Sequence, residues 1–128
     1  MVQFLGGVKV STITAIATPH AVGGISVIRI SGENSIEIAN KIFKASSGKS
    51  VTEMLGYTCS YGKVVDDETE LDDAVLTVFR APKSYTGEDV VEISCHGGIF
   101  ITNKILRTVI SAGAIPAEAG EFTKRAFL

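Results

Sequence analysis

The chain has 128 residues, of which 45% are hydrophobic and 20% are charged, and its formal net charge is -2 at pH 7. This length suits one domain with its own hydrophobic core, and the composition excludes wholesale disorder. The slightly acidic charge excludes a broad basic surface for gripping a nucleic-acid backbone.

Cysteine content and apolar runs restrict the cellular setting. The two cysteines, Cys59 and Cys95, have neither the number nor the spacing of a disulfide framework or a zinc site. The first ten residues lack the pattern of a secretory signal, and no apolar run reaches the length of about 18 residues that spans a membrane. We therefore expect a reduced, cytoplasmic protein with no metal site and no membrane contact.

The first predicted elements are two strands and a helix. Residues 12–18 and 24–31 are rich in Ile, Val and Thr and are separated by a Pro and Gly turn signal. Asn34, with Glu37 three residues later, predicts a capped helix start. Apolar residues then recur at helical spacing, so the pattern predicts a helix that ends near residues 46–48.

A hairpin, a strand and a second helix are predicted next. Residues 57–65 and 74–79 are typical of strands, and the acidic run 66–73 between them predicts a solvated hairpin tip rather than a metal site. Alternation in residues 89–95 predicts a strand that holds one carboxylate, Glu92, rigidly. An apolar stripe in the residues that follow, as far as Gly113, predicts an amphipathic helix.

The closing residues 121–128 predict the first turns of a third helix. Strands and helices mix without regular βα alternation, so the predicted class is α+β, with a mixed sheet and packed helices.

Residues 48–50, Gly-Lys-Ser, imitate the end of a phosphate-binding loop. That loop needs a glycine five residues before Gly48, where Phe43 stands, and it follows a strand rather than the helix predicted here. We therefore expect a turn at the end of that helix, and neither GTP binding nor GTP hydrolysis by this chain.

Neither histidine points to catalysis. Cys95 and His96 are adjacent on a strand and point to opposite faces, which argues against a nucleophile and base pair. Cys95 is expected to be structural, and His96 is expected to be a satisfied turn histidine, with a hydrogen bond at a pocket rim as the alternative. His20 is expected to be an exposed loop side chain. No catalytic residue is predicted.

Arg29 and Glu92 are the candidate binding residues, because each interrupts an apolar strand and long charged side chains are seldom buried unless paired or used. From the residues alone, two alternatives are an ion pair between them or two edge positions that face water. The third alternative is that Arg29 and Glu92 bind a ligand.

Three blocks of the sequence together resemble one family. They are ATP and GGISVIRISG within residues 17–32, SYTGEDVVEISCHGG at 84–98 and GEFTKRAFL at 120–128. The chain resembles, over roughly residues 12–128, the N-terminal domain of the MnmE/TrmE tRNA-modification GTPases. Residues 1–11 form an extension outside the match.

The resemblance implies a folate site. In the family, the arginine and glutamate that match Arg29 and Glu92 contribute to a site for 5-formyltetrahydrofolate. A carboxylate can accept neighbouring N-H groups of a pterin, and a guanidinium suits ligand oxygens. The family also uses a lysine just beyond the block that closes at Leu128, so we expect one contributor to be missing here. The fold is expected to be similar to folate-binding domains of the aminomethyltransferase type.

The resemblance also implies partners. Family members form homodimers through this domain and, with an MnmG/GidA-type flavoprotein, modify the wobble uridine of tRNA. GTP and its Mg and K ions are expected only in a GTPase domain C-terminal to the matched region. Two rival functions are a freestanding folate-dependent one-carbon transferase and a structural dimer module. The loop at His20 and the residue Ala119 depart from the family pattern.

Overall fold

A computed structural model describes residues 3–5, 8–18 and 24–127. The strands in these residues are β1 Gln3–Leu5, β2 Val8–Val10, β3 Ile13–Ile16, β4 Ser26–Ser31, β5 Phe43–Ala45, β6 Thr58–Asp66, β7 Thr69–Phe79, β8 Val90–Cys95 and β9 Ile115–Pro116. The helices are α1 Ser35–Ile42, α2 Gly98–Ser111 and α3 Glu121–Ala126, with a 3-10 turn at Val51–Glu53.

The expected extension, residues 1–11, contains β1 and β2, which pair antiparallel as a small sheet of their own. The predicted turn after β3, including His20, lies outside the described residues, so the expectation for His20 stays a prediction.

The other seven strands form one mixed sheet in the order β5-β6-β7-β8-β4-β3-β9. Neighbouring strands are antiparallel except for the parallel pair of β3 and β9. Helices and strands therefore combine in the predicted α+β class. The register of β4 against β8 places Arg29 directly opposite Glu92. Both strands lie inside the sheet, so the alternative of two edge positions is wrong.

One face of the sheet forms the hydrophobic core with α1 and α2. Ile28, Ile93 and Leu76 follow one another across three strands and are fully buried. Helix α2 buries Ile105 and Val109 in the same cluster. Because successive strand residues point to opposite faces, Arg29 and Glu92 lie on the other face, which we call the open face.

Helix α1 ends earlier than predicted. It stops at Ile42, and Phe43 begins strand β5 by pairing with Val64. The apolar Phe43 satisfies the helical pattern equally well, but its side chain is buried against the core from a strand position. Asn34 is the N-cap residue, as predicted, but its side chain makes no capping bond; its N-H donates to Thr12 Oγ1 at 3.1 Å.

The acidic run is strand rather than hairpin tip for most of its length. Strand β7 begins at Thr69, so Glu70, Asp72 and Asp73 lie within it. Asp72 accepts hydrogen bonds from the backbone N-H groups of His96 and Gly97, at 2.7 and 2.8 Å. A carboxylate that the pattern predicts to be solvated therefore holds the turn between β8 and α2.

The remaining predicted elements are found close to their predicted bounds: the pair β3 and β4, strands β6 and β8, helix α2 and the short helix α3. In the part of the chain that the structure describes, no helix is long and apolar enough to cross a membrane.

Candidate functional site

Arg29 and Glu92 form an ion pair on the open face. Nε of Arg29 donates to Oε2 of Glu92 at 2.8 Å, and Nη2 lies 2.8 Å from the same oxygen. Among the described residues, neither Nη1 of Arg29 nor Oε1 of Glu92 forms a hydrogen bond. The side chains are 25% and 27% exposed, respectively. Each partner thus keeps polar capacity that the other does not use.

Two aromatic rings flank the guanidinium of Arg29. Its Cζ lies 5.6 Å from the ring centre of Tyr85 and 5.5 Å from that of Phe122. Both distances fall within the range of cation-π attraction. The hydroxyl groups of Tyr85 and Thr123 are hydrogen-bonded at 3.1 Å, which joins the two sides.

A cavity of about 490 Å³ opens beside these groups. Its lining contains Arg29, Tyr85 and Phe122, and much of the rest is made of small residues: Ala15, Ala17, Ala117, Ala119 and Gly120. Ala15 stands opposite Arg29 in the register of β3 and β4, and its small side chain leaves room above the strand. Glu92 is not part of the lining and meets the cavity only through Arg29. The volume is in the range of small-molecule sites.

Backbone hydrogen bonds hold one wall of the cavity and the end of the loop that contains Tyr85. The N-H of Ala117 donates to the carbonyl of Thr14 at 2.9 Å, which fixes the segment before α3 against β3. The carbonyl of Asp89 accepts from Gly32 N at 2.9 Å. Gly32 has φ +141°, and a Cβ there would lie 2.5 Å from Thr12 Oγ1, so only glycine allows this close approach.

A second Arg–Glu pair lies buried behind α3. Nη1 of Arg125 donates to both carboxylate oxygens of Glu88, at 3.1 and 3.2 Å. Ser31 Oγ donates to Glu88 Oε1 at 2.9 Å and shares a 2.7 Å hydrogen bond with the hydroxyl of Thr86. Nη2 of Arg125 donates to Glu121 Oε2 at 3.1 Å. These five residues join all three sequence blocks.

The other predicted positions lie away from this cavity. Cys95 is buried, and burial raises the pKa of its thiol; His96 next to it is exposed, as the alternating pattern predicts. Gly48 lies in an exposed turn that follows strand β5, so the helix expected before it is wrong. Within the described ranges no group of three or more His, Cys, Asp or Glu residues could hold a metal ion.

Sequence reasoning missed four residues that build the site: Tyr85, Phe122, Glu88 and Arg125. All four belong to the blocks at residues 84–98 and 120–128, so the sequence blocks that carry the family resemblance already contained them. No periodic pattern marks them, because they lie in a loop and in a short helix. Only their contacts reveal a role.

Comparison with known proteins supports the family resemblance that the three sequence blocks indicate. Residues 12–128 match the family model described as GTP-binding protein TrmE N-terminus. Two similar relatives are named tRNA modification GTPase MnmE: that of Lactiplantibacillus plantarum is 54% identical over 119 residues, and that of Clostridioides difficile is 52% identical over 117 residues. Each alignment covers 91% of this chain, which spans only about a quarter of the length of these relatives (25% and 26%). The chain therefore belongs to the TrmE N-terminus family.

Proposed function

We propose that this chain is the folate-binding and self-associating region of a tRNA-modification GTPase. The observation that carries the proposal is the convergence of the three sequence blocks on one cavity, with Arg29 close to two aromatic rings at its wall. The ligand is 5-formyltetrahydrofolate or a related folate, which supplies a one-carbon unit when it is bound.

Arg29 is the member of the ion pair that lines the cavity and contacts the ligand there. Two of its nitrogens are engaged with Glu92, and Nη1 keeps its N-H donors for ligand oxygens. Its neighbouring rings Tyr85 and Phe122 offer apolar faces to a flat heterocycle. The small residues of the wall leave a space that the bulk of a pterin suits.

Glu92 has two roles in this proposal. Oε2 orients the guanidinium of Arg29. Oε1 receives no hydrogen bond from a described residue and lies outside the cavity lining, so it can accept an N-H only from a part of the ligand that extends past Arg29. A carboxylate in this position selects for ligands that carry N-H donors.

The proposal for the whole protein follows from the relatives, whose names state tRNA modification and GTPase activity. GTP, with Mg and K ions, is bound in a region beyond the match at residues 12–128. An MnmG/GidA-type flavoprotein is the partner in modifying the wobble uridine of tRNA, in the cytoplasm. The folate cavity serves that reaction by holding its ligand in position.

Calorimetric titration with 5-formyltetrahydrofolate tests the site. Arg29→Ala and Glu92→Ala are each expected to weaken binding by about one to two decades, because each removes a charged hydrogen bond worth roughly 1.5–3 kcal/mol. Arg107→Ala and Glu37→Ala remove the same residue types from exposed helix positions and are the matched controls. Unchanged affinity in both well-folded site variants would make Arg29 and Glu92 a structural ion pair, which is the rival module without folate.

Self-association is tested by sedimentation velocity. A stable symmetric dimer buries about 800 Å² on each partner and is expected at tens of micromolar protein. A single monomeric species at that concentration contradicts this part of the proposal.

A further inference from the structure

We propose that the ion pair of Glu88 and Arg125 is a clamp that positions helix α3, and that the clamp determines ligand affinity without touching the ligand. The identity of that ligand rests on the proposed function; the clamp itself rests on the contacts below.

Apart from this ion pair, helix α3 is held by the hydrogen bond between Thr123 and Tyr85 and by the contact of Phe122 with Arg29. It has six residues, and a helix of this length is not stable by itself in water. Arg125 is the one buried residue of the six. The most deeply buried attachment of the helix is therefore a charged side chain.

The hydrogen bonds of Glu88 and Arg125 are all formed only while helix α3 stays docked. Glu88 accepts from Arg125 through both oxygens and from Ser31 through Oε1, and Arg125 also donates to Glu121. Loss of one partner leaves the other charge buried without compensation. Movement of α3 away from Glu88 removes the cost of that uncompensated buried charge, because water then solvates it.

The same movement would change the cavity. Phe122 precedes Arg125 by three residues, so the two lie on neighbouring parts of one helix face. Phe122 and Thr123 line the cavity, whereas Glu88 and Arg125 do not. Undocking of α3 removes the Phe122 ring from Arg29 and opens one wall. A ligand that binds only the docked state then loses affinity in proportion to the docked fraction.

The first test uses Arg125→Met in the 128-residue chain. Arg107→Met, an exposed arginine on α2, is the matched control. We expect the dissociation constant for 5-formyltetrahydrofolate to rise about 10- to 100-fold. Amide hydrogen exchange in α3 should speed up by the same factor, strand β8 should stay protected, and saturating ligand should restore protection in α3. The control should change less than about 2-fold, and Arg125→Lys should lie between the two.

A second readout needs no ligand. The Nε-H of Arg29, hydrogen-bonded to Glu92, gives an NMR signal that the rings of Tyr85 and Phe122 shift. Arg125→Met should move this signal toward its position in Phe122→Leu. If the wild-type chain binds no folate, the proposed function fails, and this signal still decides whether the clamp places Phe122.

Two results would overturn the inference. One is an Arg125→Met variant in which α3 stays protected and the Arg29 signal does not move. The other is a variant in which α3 loses protection while folate affinity is unchanged. Should Arg125→Met unfold the whole chain, Glu88→Gln, which keeps the shape and removes the charge, carries the same test with an expected weakening of about 3- to 10-fold.

Discussion

Two Arg–Glu pairs of the same chemistry, one of which includes Arg125 of helix α3, differ in exposure. The side chains of Arg29 and Glu92 are 25% and 27% exposed, whereas those of Arg125 and Glu88 are 7% and 9% exposed. The exposed pair keeps unused polar atoms beside a cavity. The buried pair uses its carboxylate oxygens on neighbours. Free donor and acceptor atoms suit contact with a ligand, whereas a carboxylate whose oxygens are both hydrogen-bonded suits the positioning of a helix.

The largest expected difference between the pairs is in stability. Glu88→Ala should lower the free energy of unfolding by about 3 kcal/mol, because Arg125 either stays buried without its partner or is exposed by the undocking of helix α3. Glu92→Ala should lower it by less than about 1 kcal/mol, since water already reaches Arg29. Urea denaturation of both variants, with Glu37→Ala as control, measures this. Equal losses of unfolding free energy in Glu88→Ala and Glu92→Ala would contradict the distinction between a positioning pair and a ligand-contact pair.

Ligand affinity should distinguish the two pairs through the exposed residue Arg29. Arg29→Lys keeps the charge but loses the planar fork of N-H donors, so folate binding should weaken by about tenfold, or about 1.4 kcal/mol. Thermal denaturation should show stability close to wild type. An Arg29→Lys variant that binds folate normally would mean that only the charge matters at this position.

The aromatic rings should contribute less than the guanidinium. Phe122→Leu keeps an apolar side chain but loses one cation-π contact, worth roughly 0.5–1 kcal/mol, so affinity should fall about 3-fold. Tyr85→Phe keeps its ring and loses only the hydroxyl contact with Thr123, and affinity should change less than about 2-fold. The two variants, titrated side by side, separate ring from hydroxyl. A larger effect of Tyr85→Phe would assign the hydroxyl to ligand contact.

A more exposed ion pair, Lys63 with Asp73, should matter least. It joins β6 and β7 at 2.6 Å with side chains 46% and 51% exposed. The hydrogen bond and charge of Asp73 raise the pKa of Lys63 above its usual 10.5. Its stabilising effect is therefore complete below pH 10.5 and is lost as the pH rises through the raised pKa. Melting curves of Asp73→Asn should show a shallower loss above pH 10.5, and folate binding should not change.

Sequence patterns were sufficient for one of the two main pairs. Arg29 and Glu92 could be identified because each interrupts an apolar strand, and a charge in such a place needs a partner or a use. The ion pair between them is present in the structure. The ligand role stays a prediction. Glu88 and Arg125 escaped notice because a loop and a short helix carry no periodicity against which a charge stands out.

The errors in the predicted elements have the same origin. Phe43 fits a helical stripe and a strand equally well, and its pairing with Val64 decided for the strand. Asp72 looked solvated within an acidic run, but the turn after β8 brings two N-H groups to its carboxylate. In both cases a contact distant in sequence outweighed the local preference.

By itself, the sequence determined the α+β class, most of the strands and helices, the apolar face of the sheet and the family. These follow from periodicity and from short blocks, which are local properties of the chain. Only the tertiary structure decided that the three blocks meet at one cavity, that Arg29 lies close to two aromatic rings, and that a buried arginine anchors α3. The register between strands and the docking of a short helix depend on residues far apart in sequence, so no local pattern contains them.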